Sequence, residues 1–283
     1  MGVPARAVGM GKALLTRQGD ISGAFLNPAA FAGIDDWQMT TMTVKAAEGF
    51  NYYSLAGVLP SPAGNFGIGM VNMSVDGVPY ASAYDVATGN PVLENTEENN
   101  LALVLTYARK IRNLSWGLSL KSFSTAYSAL KEKGSGVDAD LGITLNLSPV
   151  VVSRRVFSLV AYNFLPTRFS YSTGREEGMP FMLRGGFGMD VGEKIAIEAG
   201  GDYRQEHPII FRGGLEYRAN SILSLRAGVE QEAVPQGDGK VETVNDLCFG
   251  TSLSLRGISF DYGYRQFNRP AGGANHFFSI SFK

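Results

Sequence analysis

The 283-residue sequence has a single cysteine, Cys248, so it holds no disulfide framework and no thiolate metal site. Charge is scarce as well. Asp, Glu, Lys and Arg make up 18% of the chain, and the formal net charge of -1 leaves no clustered basic excess of the kind nucleic acid demands. Its two histidines, His207 and His276, lie far apart and belong to no metal-ligand or Ser-His-Asp pattern. "VGMGKA" lacks the remaining spacing of a phosphate loop, so neither catalysis nor a cofactor or metal site is expected. No run approaches the roughly 18 apolar residues of a membrane helix, which excludes helical spanning and leaves a transmembrane barrel open. The start "MGVPARAVGMGK" has no apolar core of a leader, and an exported protein with this sequence is expected to have had one removed.

What the sequence has in quantity is glycine, at 35 residues, and aromatic side chains, at 11%. From Trp37 onward the main signal is alternation. In "NLSWGLSLK" Leu114, Trp116, Leu118 and Leu120 alternate with Ser115, Gly117, Ser119 and Lys121. "VDADLGITLNL", "FRGGLEYR", "LSLRAGVE" and "ISFDYGYR" repeat the scheme, each with one apolar face and one face of Gly, Ser and charge. Turn residues divide the chain into about fourteen strands of roughly ten residues, the length that crosses a bilayer at a tilt. Longer connections are expected near 77–98, 128–134, 166–179 and 234–243, alternating with tight turns. The prediction is an all-β chain: a single antiparallel up-and-down transmembrane barrel over 37–283, preceded by a non-strand segment, 1–36. A soluble sandwich is the competing reading, because alternation alone does not say which face meets lipid.

With apolar faces outward, the inward side chains include Asp138, Asp140, Arg184, Asp190, Glu198, Asp202, Arg204, Arg212, Glu216, Arg218, Arg226, Glu230, Asp261 and Arg265. Both signs occur, and an ion-pair network bracing the lumen is favoured over a selectivity path for a polar solute. Cys248 alternates with Gly250 and Ser252 and is expected to point inward. Trp37, Tyr52, Tyr53, Phe164, Phe169, Tyr171 and Phe181 fall near strand ends, where an interfacial aromatic girdle is expected, the alternative being a binding surface.

The stretch "ARAVGMGKALLTRQGDISGAFLNPAAFAGI" shows neither a helical nor a strand period. Its Ala5-Arg6-Ala7, Gly9-Met10-Gly11, Asp20 and Asn27-Pro28-Ala29 are similar to the N-terminal signature of the PorV/PorQ family of outer-membrane barrels, itself related to the FadL fatty-acid channels. The likeness continues through "LVLTYARKIRNLSWGLSLK", "GSGVDADLGI", "RGGLEYRANSILSLRAGVE" and "LSLRGISFDYGYR". The ending Phe282-Lys283 departs from the family's terminal aromatic, and the chain is shorter than FadL channels. The resemblance implies a bacterial outer-membrane barrel of fourteen strands in contact with membrane lipid. Its N-terminal segment, with Gly9, Gly11, Asp20, Asn27, Pro28 and Ala29, would plug or line the lumen. It also implies an accessory of protein secretion of the type IX kind, with secreted proteins or a translocon as partners. The more distant FadL resemblance implies a passive channel for a hydrophobic ligand. Secretion ranks first here, because the inner face reads as too charged for an apolar tunnel and the chain as too short for a large plug.

Overall fold

The computed structural model describes residues 3–45, 50–84, 88, 90–148, 154–235, 241–268 and 273–283. It is a closed antiparallel barrel of 14 strands with 2 extra strands and almost no helix. In chain order the strands are β1 (Gln38–Lys45), β2 (Phe50–Leu59), β3 (Asn65–Tyr84), β4 (Pro91–Ile111), β5 (Leu114–Tyr127), β6 (Glu132–Asn146), β7 (Arg155–Tyr162) and the short pair β8 (Arg168–Tyr171) and β9 (Glu176–Gly178). They continue with β10 (Met182–Val191), β11 (Ile195–Arg204), β12 (Ile210–Arg218), β13 (Leu223–Pro235), β14 (Val241–Leu255), β15 (Ile258–Gln266) and β16 (Ala274–Phe282). Each wall strand pairs with the next, β7 pairs with β10, and β1 closes on β16 in the register Met39↔Phe282 to Lys45↔His276. Closure leaves the wall no unpaired edge.

Alternation sets the two faces, and their burial is the reverse of a soluble core. Ile68 is 63% exposed, Leu105 59% and Phe211 61%, whereas Lys121 and Glu198 are each 1% exposed. A belt of large apolar side chains turned outward is favourable only against lipid, so the faces separate as they do in a membrane barrel and not as in a sandwich. Toward the long-loop end the outward positions become polar at Asn72, Asn99, Ser124 and Ser135, which marks one edge of the belt. No helix among the described residues is long and apolar enough to cross a membrane.

The structure corrects two of the predicted loops. Most of 77–98 is strand, because β3 and β4 run on for 20 and 21 residues. Register shifts between Val75 and Val78 and between Ala81 and Ala83 break the period-2 pattern there, and a ribbon with water on both faces needs no apolar side. Segment 166–179 likewise contains β8, paired with β6, and β9, paired with β8. The centre of the predicted loop at 234–243, residues 236–240, lies outside the described residues, as do Met1 and Gly2.

The expected aromatic girdle is also corrected in part. Trp37 and Tyr53 are exposed outward. Tyr52 sits on the inward face of β2 in phase with buried Ser54 and Ala56, and the Phe169 ring lies over the inward face of β6 at Gly134 and Gly136. The outward set includes a cluster that a scan of strand ends does not pick out, in which Tyr107 packs on Phe66 at 5.2 Å and on Trp116 at 5.6 Å.

Candidate functional site

Residues 3–36 contain no strand, and most of them are buried. Short local devices hold them. A five-residue helix, α1 (Ala5–Gly9), anchors to the wall when Ala5 N–H donates to Ser279 Oγ at 2.8 Å. Asp20 caps a 3-10 turn, Ile21–Gly23, by accepting from Ser22 N–H at 2.8 Å. Asn27 caps a second, Pro28–Gly33, by accepting from Ala29 N–H at 2.9 Å, while its Nδ2 donates to Leu15 O and to Thr144 Oγ1, both at 2.9 Å. Pro28 occupies the first position of that turn, where the missing N–H costs nothing.

The glycine excess finds its use here. A Cβ at Gly263 would stand 2.6 Å from Ala5 O, one at Gly214 2.4 Å from Met10 O, and one at Gly228 2.4 Å from Gly11 N. Across the lumen, a Cβ at Gly117 would meet Pro28 C at 2.4 Å, and one at Gly142 would meet Asn27 Oδ1 at 2.2 Å. Neighbouring wall strands therefore place glycine opposite glycine, as in Gly250↔Gly263, Gly214↔Gly228 and Gly117↔Gly142, wherever the N-terminal backbone lies against them. The approach is mutual at Gly9, whose Cβ would stand 2.9 Å from Gly250 Cα, and at Gly11, which has φ +60°. Side chains of the segment form two apolar clusters in the lumen. One joins Val8, Met10, Leu14, Leu15 and Leu26 to Val160 and Tyr162, and the other joins Ile21, Phe31 and Ile34 to Ala56, Val58 and Ala108.

Charged side chains on the inner wall meet across strands and also meet cations of the N-terminal segment. Arg184 donates to both Asp202 oxygens at 2.5 and 2.6 Å, and Arg212 reaches Asp202 at 2.9 Å and Glu230 at 3.6 Å. Arg265 contacts Asp246 at 2.7 Å and Glu230 at 3.3 Å, and Glu230 also accepts from Lys12 at 2.9 Å. Glu216 is shared by Arg226 at 2.7 Å, Arg6 at 2.9 Å, Arg218 at 3.3 Å and Arg17 at 3.7 Å, while Arg226 also reaches Asp261 at 3.3 Å. Glu198 accepts from Arg154 at 2.6 Å and from Thr16 Oγ1. Arg204 lines a cavity at the long-loop end and forms no ion pair among the described residues.

Asp138 and Asp140 stand apart from this network. Asp138 accepts from Leu165 N–H at 3.2 Å, and Asp140 from Asn163 N–H at 3.0 Å and from buried Lys121. They fasten segment 163–165 to β6 where β7 has ended. Sequence reasoning missed Arg6, Lys12 and Arg17 as partners of the wall, along with Arg154 and Asp246, and it placed Lys121 on the polar face of its strand without counting it among the inward charges. Lys121 and Asp246 were open to the alternation that placed their neighbours inward, but no period marks the cations of the N-terminal segment.

Two groups of that segment have shifted acidities. Burial alone would push the Asp20 carboxyl up, but Arg6, Lys283 at 2.9 Å and the bonds from Ser22 hold it well below the usual carboxylate range. Burial pulls the Arg17 guanidinium down to about 10, helped by the nearby cations Arg6, Arg154 and Arg218.

The charges do not encircle the lumen. Inward positions on β10 to β15 carry the network, whereas those on β16, β1, β2 and β3 carry no charge among the described side chains. Toward the long-loop end these uncharged faces present Phe277, Met42, Val44, Tyr52, Val71 and Met73, which lie level through the registers Val44↔Phe277 and Tyr52↔Met73. A cavity of about 450 Å³ opens at the same end between β10 and β13, lined by Arg184, Asp202, Arg204, Arg212 and Glu230 together with Met182 and Ile210. A second, of about 460 Å³, lies at the short-turn end and has a polar lining.

No protein-family model matches the chain, and no curated protein sequence does. Among solved structures it is similar over its whole length to the Ralstonia pickettii toluene transporter TbuX, with a TM-score of 0.64 at 13% identity, covering 100% of this chain and 98% of that one. The Pseudomonas putida toluene transporter TodX gives 0.63 at 13% identity over 99% and 96% of the two chains. A Pseudomonas aeruginosa FadL homologue gives 0.60 at 12% identity over 99% and 97%. At such identities the likeness establishes a shared fold: this chain has the architecture of the FadL-like hydrocarbon channels.

Proposed function

We propose that the chain is a non-enzymatic outer-membrane channel that passes a small hydrophobic molecule, with residues 1–36 acting as a plug. The observation that carries this reading is the uncharged inner face of β16 and β1–β3, which is mainly apolar toward the long-loop end and stands beside a charged wall. An apolar solute entering from the long-loop end meets side chains that desolvate it, and most of the buried charges opposite are paired with one another. The shared fold with channels whose solved members include toluene transporters supports the same reading. In this account the long loops face outward from the cell, the short turns face the periplasm, and the exposed belt sits in outer-membrane lipid.

Secretion ranks first from sequence on two grounds, an inner face too charged for an apolar path and a chain too short for a large plug. Confinement of the main network to β10–β15 and of Asp138, Asp140 and Lys121 to β5 and β6 argues against the first.

The test is uptake of radiolabelled toluene by cells with an intact lipopolysaccharide barrier, with and without the protein. The protein is expected to raise the uptake rate. Met73→Asp, which sets a charge on the apolar strip, is expected to return it to background while the barrel still folds. Equal uptake by cells with and without the protein contradicts the proposal.

A further inference from the structure

The cavity at the short-turn end has no part in moving an apolar solute, and its chemistry is that of a different ligand. It encloses about 460 Å³ between the N-terminal segment and the ends of β10 and β12–β16. Six cationic side chains line it, Arg6, Arg17, Arg154, Arg218, Arg226 and Lys283, against the four carboxylates Asp20, Asp190, Glu216 and Asp261. Glu216 alone serves four guanidinium groups. Arg17 is the least satisfied of them. Its nearest carboxylate oxygens are 3.6 Å away on Asp190 and 3.7 Å on Glu216, beyond hydrogen-bond reach, although its side chain is only 16% exposed. The downward shift of Arg17 has the same origin, a buried cation with more like than opposite charge around it.

Two further donors on this cavity lack a hydrogen bond. Gln18 Nε2 and Arg218 Nη2 are both buried, and the nearest carboxylate oxygen to the latter, on Asp190, is 3.6 Å away. A buried N–H without a partner costs about 1–3 kcal/mol, so a cavity holding two of them beside an under-neutralised guanidinium favours an acceptor that carries negative charge. Serine hydroxyls complete the lining, among them Ser224, Ser252 and Ser281. Such a lining has no apolar berth for an acyl chain.

We propose that this cavity binds a small free oxyanion, a phosphate or short carboxylate, held by the guanidinium groups of Arg17 and Arg218 and the amide of Gln18. Two donors of the site, Arg17 and Gln18, belong to the N-terminal segment and one, Arg218, to the wall, so the bound anion clamps the segment to the barrel. The proposal stands independently of what crosses the lumen.

The test is calorimetric titration of the detergent-solubilised full chain with inorganic phosphate and with acetate at constant ionic strength, with chloride as the control. One saturable site is expected, together with slower proteolysis of residues 1–36 in phosphate. Arg17→Gln should weaken binding about tenfold or more, the worth of a charge-assisted hydrogen bond. Ser224→Asp places a carboxylate across from Arg218, its partner in the β12–β13 register, and should abolish binding by occupying the site from within. Because that variant adds a counter-charge to a cationic cavity, it keeps the test open even if Arg17→Gln does not fold. Absence of a saturable site for either anion overturns the proposal, as does unchanged affinity in folded Ser224→Asp. Binding of decanoate without phosphate or acetate also overturns it, since the ligand would then be held by its tail.

Discussion

Adjacent residues of β12 separate two roles of glycine. Gly213 faces outward with nothing within 4 Å of an added Cβ, while Gly214 faces inward with Met10 O at 2.4 Å. Gly214→Ala is expected to destabilise the protein by about 1–3 kcal/mol, because the obstructing atom is backbone and the segment must shift. Gly213→Ala should stay within about 0.5 kcal/mol of the parent. Thermal unfolding in detergent, followed together with proteolysis of residues 1–36, checks both, and equal effects at the two positions would refute the close-approach account.

Asp20 carries the pH dependence at this scale. Its folded acidity lies below the unfolded value of about 3.9, so its contribution is fully present above that pH and is lost as pH falls through the depressed value. Release of the N-terminal segment is therefore expected only in acid, below about pH 4. Asp20→Asn keeps the cap but takes the counter-charge from Lys283 and one of the two carboxylates from Arg6, and should cost about 1.5–3 kcal/mol at neutral pH while flattening that acid transition. Both outcomes are read from unfolding midpoints across pH.

At the level of elements, the wall strands were legible because each must solve one problem, apolar outside and polar inside, and period 2 records the solution. In β5 the alternation of Leu114, Trp116, Leu118 and Leu120 with Ser115, Gly117, Ser119 and Lys121 names both faces. Legibility failed where that problem does not arise. Beyond the Phe50↔Val75 and Glu98↔Tyr127 pairs, and the bonds that Glu97 O and Thr96 Oγ1 accept from Ser128 and Ala129 N–H, β3 and β4 pair only with each other among the described residues, and no lipid imposes a pattern on them. The same isolation makes a prediction. Replacing residues 78–95 with a short turn should leave the barrel folded, with heat-modifiable migration in gel electrophoresis and an unfolding midpoint close to the parent's. Loss of folding would show that the ribbon supports the wall. For the N-terminal segment the sequence announced caps and small residues, Asp20, Asn27-Pro28 and Gly9, but not where they dock, because docking depends on glycines more than eighty residues away.

Across the whole molecule, three shells differ in chemistry: an apolar outer belt, a polar inner wall, and apolar clusters of the N-terminal segment within it. A list of inward charges read from alternation identifies the members of the network but not their distribution around the barrel, since angular position depends on strand order and closure. That missing coordinate decided the functional ranking. Once β1 is seen to close on β16, Phe277, Val44, Tyr52 and Met73 become neighbours on one uncharged quarter of the wall. The most direct measurement is a crystal structure of the protein grown with bromotoluene, with the bromine located by anomalous scattering. The account predicts a peak inside the barrel against Tyr52, Met73 and Phe277, and its loss in Met73→Asp. Bromine found only on the outer belt, or against the β10–β15 wall, would contradict it.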